Sequence, residues 1–112
     1  MEIKNMSFGK IYPMYLAKAE RKGRTKDEVN TVICWLTGYN AMQIEELSVT
    51  ETSFEEFFRS APQLHPNRVF IKGSICGVKI SEIEDMITKE VRYLDKLIDE
   101  LAKGKSMDKI LR

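Results

Sequence analysis

The chain has 112 residues, of which 31% are charged and 43% hydrophobic, and its formal net charge is +1. This length is typical of one domain, and the balanced charge excludes a strong overall attraction to nucleic acid or to an anionic membrane. No stretch approaches the ~18 apolar residues of a membrane span, and the N-terminus lacks the apolar core of a signal peptide. We therefore expect a single cytoplasmic domain over residues 1–112, with no membrane contact.

Apolar residues recur at helical spacing in four segments of the first half, and each segment has a recognisable start signal. In chain order these signals are Pro13, the capping box of Thr25 with Glu28, Asn40, and the capping box of Ser53 with Glu56. The predicted helices cover 12–22, 26–37 and 41–48, with a fourth that begins near residue 54 and ends before Pro62. Gly23 and Gly38 suit the left-handed stops of the first two helices.

The segment HPNRVFIKGSICGVKI, residues 65–80, is open to two interpretations. Pro66 suits the first position of a helix, Gly77 suits its end, and the spacing of the apolar residues between them favours a helix. The β-branched residues and the Gly73-Ser74 pair also fit a small hairpin at 68–80. We favour the helix, and the hairpin would give an α+β alternative.

The last third predicts a long amphipathic helix that starts at Glu82 or Asp85 and runs to Lys103, followed by a short tail helix capped by Ser106. The predicted fold class is therefore all-α, with about five helices plus a short C-terminal helix in one compact domain.

Several segments together resemble the bacterial domain of unknown function 2200 family. They are YPMYLAKAERKGRTKDEV, CWLTGY, FEEFF, ICGVKI and RYLDKLIDELAKGKSMDKILR, and they cover nearly the whole chain. No activity, substrate or catalytic residue accompanies this resemblance. It implies a small cytoplasmic bacterial protein and assigns no functional residue.

The cysteines and the histidine give no sign of reactive chemistry. Cys34 and Cys76 form no Cys-x-x-Cys pair, and both fall near predicted helix C-termini, where the dipole disfavours a thiolate. His65 is the only histidine, so a histidine-rich metal site is excluded. We predict no catalytic residue, no metal and no cofactor, and we lean against an enzyme.

The densest positive charge lies in the turn between the first two helices. Its members are Lys18, Arg21, Lys22, Arg24 and Lys26. Such a cluster can contact phosphates, and further cations in the tail, such as Lys103, can join it in space. Its simpler explanation is a solvated turn whose cations oppose the negative end of a helix.

Three functional hypotheses follow. The leading one is a non-catalytic protein that works through protein–protein contact, with a second copy of itself as the expected partner and with Trp35, Tyr39 and Tyr93 as possible contact residues. The second is an accessory nucleic-acid binder that uses the basic turn at 18–26. The third is a small-ligand protein with a pocket near Trp35 and Tyr39.

Overall fold

The structure, a computed structural model, describes residues 2–75 and 77–112. In these ranges the chain forms six α-helices and one antiparallel pair of strands. The helices are α1 (Phe8–Glu20), α2 (Lys26–Thr37), α3 (Ala41–Ser48), α4 (Phe54–Arg59), α5 (Met86–Ala102) and α6 (Met107–Ile110), and the strands are β1 (Ser74–Ile75) and β2 (Val78–Lys79). Short 3-10 turns occupy Ile3–Asn5, Pro66–Phe70 and Ile80–Glu82. The predicted all-α class is confirmed, and the small hairpin of its alternative is present as well.

The start of α1 differs from the prediction. The helix begins at Phe8, so Pro13 lies inside it instead of opening it. Phe8 is fully buried, and its N–H donates to the carbonyl of Thr52 (2.9 Å), a contact with a distant part of the chain. Pro13 is exposed, so its ring faces solvent while the helix continues past it. The first turn of α1 is therefore fixed by a hydrogen bond to a distant part of the chain, which local sequence patterns do not indicate.

The start signals of α2, α3 and α4 are confirmed. Thr25 accepts the N–H of Glu28 (3.2 Å), and the Glu28 carboxylate accepts the N–H of Thr25 (3.0 Å). Asn40 and Ser53 cap the next two helices through their side chains. Of the capping box predicted for Ser53 with Glu56, only the half in which Ser53 accepts the N–H of Glu56 is present. Gly38 ends α2 with φ +82°, as predicted. These boundaries agree because each depends on residues within one helical turn.

The favoured helix, which was to begin at Pro66 and end before Gly77, is wrong. Only Pro66–Phe70 is helical, as a 3-10 turn, and β1 then pairs with β2. The hairpin turn is not at Gly73-Ser74, because Ser74 already belongs to β1 and Gly77 lies between the strands with φ +80°. Gly73 has φ +109°, which a right-handed helix does not accommodate. Cys76 lies outside the described residues.

Helices α1 and α5 run parallel to each other through the core. Tyr15 donates to Asp95 (2.5 Å) and Lys18 to Asp99 (3.3 Å), so the contacts advance in the same direction along both helices. The hydrophobic core extends from Phe8 to Ile110, which shows that α6 packs back as predicted. The C-terminal ends of α1 and α5 consequently meet at one end of the molecule.

No helix among the described residues is long and apolar enough to cross a lipid bilayer.

Candidate functional site

Most of the five predicted phosphate-contact residues already have acidic partners. Lys18 pairs with Asp99 (3.3 Å), Arg24 with Glu28 (2.8 Å) and Lys26 with Glu45 (2.8 Å). The Arg24 guanidinium also donates to the carbonyl of Lys105 (2.9 Å), which ties the turn to the tail. Of these five residues, Arg21 and Lys22 are exposed and have no acidic partner among the described residues. The basic turn is therefore largely neutralised.

The remaining positive charge surrounds a groove of about 880 Å³ at the joint C-terminal end of α1 and α5. Its lining consists of Lys18, Arg21, Lys22, Asp99, Ala102 and Lys103. Partial burial alone would raise the pKa of Asp99, but hydrogen bonds from Lys103 and Lys18 outweigh burial and lower the pKa. Since two helices end here, the cations also oppose two negative dipole ends. Lys103 thus joins the basic turn, as the sequence suggested for the tail cations.

Trp35 stacks on His65. Their ring centroids lie 4.3 Å apart with an interplanar angle of 21°, and both side chains are half-buried. The backbone N–H of His65 donates to the carbonyl of Leu36 (3.0 Å), which holds the loop against α2. The Nδ1 atom of His65 accepts the N–H of Asn67 (3.0 Å) and caps the 3-10 turn. One of the two ring nitrogens of His65 is thereby used in structure.

Tyr39 is a core residue. Its side chain is buried, and its hydroxyl donates to the carbonyl of Phe57 (2.8 Å). Burial raises the pKa of this phenol, so it stays protonated. A hydroxyl committed in this way has little to offer a ligand, which weakens the predicted pocket near Trp35 and Tyr39.

Tyr93 lies between two cavities. One, of about 400 Å³, is lined by Val69, Ile71, Lys72, Gly73, Ile80, Ser81, Lys89 and Tyr93. The other, of about 240 Å³, is lined by Arg68, Val69, Ile83, Glu84, Met86, Lys89, Glu90 and Tyr93. Both cavities share Val69, Lys89 and Tyr93. Of the three predicted contact residues, Tyr93 is the one placed at a concave surface.

A partly buried ion pair between Arg68 and Glu90 supports this region. The Nε atom of Arg68 donates to both carboxylate oxygens of Glu90 (2.9 and 3.0 Å), and its Nη1 atom donates to the carbonyl of His65 (2.9 Å). Burial raises the pKa of Glu90, although the hydrogen bonds and charge of Arg68 lower it in part. The pair fixes the 3-10 turn against α5 and so fixes the wall that carries Val69.

Exposed apolar residues concentrate in the same part of the chain. The structure shows seven large apolar side chains as exposed, namely Met14, Met42, Val49, Val69, Phe70, Val78 and Met86. Four of the seven lie within residues 69–86, and Val69 and Met86 line one cavity. We call residues 69–86 the hairpin segment. This exposed apolar surface was not predicted from the sequence, because the favoured helix would direct these side chains to other faces.

The surroundings of Cys34 disfavour the thiolate form of its side chain. This cysteine is a free, half-buried thiol, and burial raises its pKa. Among the described residues no group of three or more His, Cys, Asp or Glu side chains is placed to bind a metal ion.

Sequence reasoning missed the residues that surround Tyr93, chiefly Arg68, Lys72, Glu90 and Lys89. They come from the 3-10 turn, the hairpin and α5, so no short motif contains them. One available signal was Glu90, which with Glu100 is one of two acidic residues among the mainly apolar buried positions of α5. A buried carboxylate needs a cationic partner.

The fold and these surfaces define a small, mostly helical protein with one short hairpin in the ranges described. The chain belongs to the DUF2200 family of uncharacterized proteins conserved in bacteria, whose family model matches residues 2–112. The chain is also similar to a solved structure, the crystal structure of uncharacterized protein SP1917, with 42% sequence identity and a TM-score of 0.92. That match covers 99% of this chain and 93% of the other. None of the curated proteins compared matches this chain.

Proposed function

We propose that this protein is a non-catalytic cytoplasmic protein that acts through protein–protein contact, and that its partner is a second copy of this chain. One observation carries the proposal: four of the seven large apolar side chains shown as exposed belong to the hairpin segment. Exposed apolar residues that cluster mark interaction surfaces more often than scattered ones do. The bacterial family and the free thiol of Cys34 support the cytoplasmic location.

The charges of the hairpin segment favour a copy of itself as the partner. Lys72 and Lys79 are exposed in the segment, and so are the acidic residues Glu82 and Glu84. In a twofold interface the same surface meets itself, so it must carry both signs of charge to be complementary. The segment meets this condition, whereas a surface of one sign would repel its own copy.

Phe70 is the side chain most suited to anchor the contact. It is 57% exposed and directly follows Val69 at the end of the 3-10 turn. Aromatic side chains contribute much of the binding energy of interfaces when they enter a pocket on the partner. Under twofold symmetry, each Phe70 would pack on the hairpin segment of the other copy.

The test is the mass of the protein in solution, measured by light scattering over a range of concentrations. We expect a dimer for the wild-type chain, a monomer for Phe70→Glu, and a dimer for Met42→Glu. Met42 is a matched control, because it is 72% exposed and lies on α3, away from the hairpin segment in the sequence. A monomeric wild-type chain at all concentrations, or equal dissociation by both substitutions, would contradict the proposal.

A second candidate function, accessory binding of nucleic acid, is favoured by one observation. Lys103 joins Lys18, Arg21 and Lys22 around the groove, so four cations face a single carboxylate, Asp99. Binding to a single-stranded oligonucleotide at low salt should weaken when Arg21 and Lys22 are both replaced by Gln, and should be unaffected by Lys79→Gln. Absence of binding at low salt would remove this candidate.

A further inference from the structure

Tyr93 differs from the other three tyrosines in the hydrogen bonding of its hydroxyl. Tyr12 donates to Asn30 (2.5 Å), Tyr15 to Asp95 (2.5 Å) and Tyr39 to the carbonyl of Phe57 (2.8 Å). The hydroxyl of Tyr93 has no hydrogen-bond partner within residues 2–75 and 77–112, and it is accessible to solvent although the residue as a whole is only 5% exposed. Tyr93 lines the 400 Å³ cavity, so this hydroxyl is available there as a donor.

The remaining lining of that cavity is apolar below and cationic at the rim. Ile71 and Ile80 are buried and form an apolar floor, to which Val69 adds its exposed side chain. Lys72 and Lys89 line the same cavity, together with the hydroxyl of Ser81. Neither lysine has an acidic partner within 4.0 Å in the described part of the chain, and no carboxylate belongs to the lining. The side chains that line the cavity thus supply hydrogen-bond donors and positive charge, and none of them carries a negative charge.

We propose that this cavity binds a small molecule with an apolar body and one carboxylate group. The Tyr93 hydroxyl and the ammonium groups of Lys72 and Lys89 donate to the carboxylate, and the apolar body packs on Ile71, Ile80 and Val69. The volume of about 400 Å³ lies in the usual range for small-molecule sites, which are largely apolar with a few polar groups that orient the ligand. The cavity adjoins the proposed dimer surface, since Val69 and Lys72 belong to both, but Phe70 and Val78 do not line it.

The surroundings keep Tyr93 a donor. Burial, and then the negative charge of Glu90, raise the pKa of this phenol, so it is protonated at neutral pH. Glu90 itself lines the smaller cavity, and its carboxylate is held by Arg68 at 2.9 Å. The negative charge nearest to Tyr93 is therefore already paired and does not oppose an anionic ligand in the larger cavity.

The probe is octanoate. Its binding to the full chain is measured by heteronuclear NMR. We expect saturable binding, with shifts of the amides of 69–73, 80–81 and 89–93. Octanol, which has the same chain but no charge, should bind more weakly. Tyr93→Phe should weaken octanoate binding by about tenfold, because a hydrogen bond to a charged group is lost, and Lys89→Met should also weaken it. Lys79→Gln is the control, since Lys79 lies in β2 but does not line the cavity.

Three results would overturn the proposal: no octanoate binding at millimolar concentration, shifts confined to another part of the chain, or equal affinity in wild type and Tyr93→Phe. The Phe70→Glu variant separates this site from the proposed dimer, because it should lose the dimer and retain octanoate binding. The spectrum of each unliganded variant shows whether it is folded. If Tyr93→Phe is not folded, Lys89→Met takes its place as the test of octanoate binding.

Discussion

The only tryptophan of the chain, Trp35, stacks on the only histidine, His65, with ring centroids 4.3 Å apart. The contact joins α2 to the loop that precedes the 3-10 turn at Pro66–Phe70. Trp35 and His65 therefore have a structural role, since their stack joins a helix to a loop. The stack holds in place the loop from which the hairpin segment starts.

This stack and the cap made by His65 should be separable by two substitutions. His65→Ala removes both the ring and the Nδ1 acceptor of the Asn67 N–H, so we expect a loss of roughly 1–2 kcal/mol in the free energy of unfolding. His65→Asn keeps a capping acceptor and should recover about half of that loss. Urea unfolding followed by the fluorescence of Trp35 provides the measurement. Wild-type stability in His65→Ala would show that the stack contributes nothing.

Gly38 and Gly23 form a matched pair for a test of close packing. Both have positive φ, +82° and +80°, so alanine meets the same backbone strain at each position, about 1 kcal/mol. At Gly38 a Cβ would also lie 2.7 Å from the backbone nitrogen of Gln63, whereas at Gly23 nothing lies within 4 Å. Gly38→Ala should therefore lose roughly 2 kcal/mol more than Gly23→Ala in denaturant unfolding. Equal losses would contradict the contact between α2 and the loop at Gln63.

Asp85 should make the start of α5 sensitive to acid. Hydrogen bonds from the N–H and then the hydroxyl of Thr88 lower the pKa of this carboxyl below its ordinary value of 3.8. A carboxyl with a lowered pKa stabilises the fold above that ordinary value, and the contribution is lost as the pH falls through the lower pKa of the folded state. Asp85→Asn keeps a capping acceptor that does not titrate, so its melting temperature should fall less with acid than that of the wild type. Identical acid profiles would rule out this role.

Removal of Arg68 alone should destabilise the fold strongly, whereas replacement of both Arg68 and Glu90 by apolar residues should destabilise it little. Arg68→Met leaves a buried carboxylate without its partner, so we expect a loss of roughly 3 kcal/mol at neutral pH. The double variant Arg68→Met with Glu90→Leu should regain most of this loss, because no buried charge remains.

The pH dependence gives a second check of the same pair. Burial raises the pKa of Glu90 above 4.5, and removal of Arg68 removes the effect that lowers it. A carboxyl whose folded-state pKa is raised destabilises the fold as the pH rises through that pKa, and the penalty disappears below the unfolded-state value. The deficit of Arg68→Met should thus shrink as the pH is lowered toward 4.5. A deficit that is constant with pH would show that lost packing, and not the buried charge, is its cause.

The sequence by itself determined the elements whose signals are local. The bounds of α2 and α3 agree with the prediction, because Thr25, Asn40 and Gly38 act within one turn of the helix they start or stop. The amphipathic stripe of α5 was equally readable, since Leu94, Leu97 and Leu101 face one core. Local hydrogen bonds and periodic burial need no knowledge of the rest of the fold.

Tertiary structure alone decided the rest. Phe8 starts α1 because its N–H donates to the carbonyl of Thr52. Two of the three carboxylates that pair with the basic turn and its groove come from α3 and α5, namely Glu45 and Asp99. Tyr39 and Tyr93 look alike in sequence, yet Tyr39 donates its hydroxyl to Phe57 in the core and Tyr93 lines two cavities. Such differences depend on which distant atoms arrive within hydrogen-bond distance, and that is set by the packing of the whole chain.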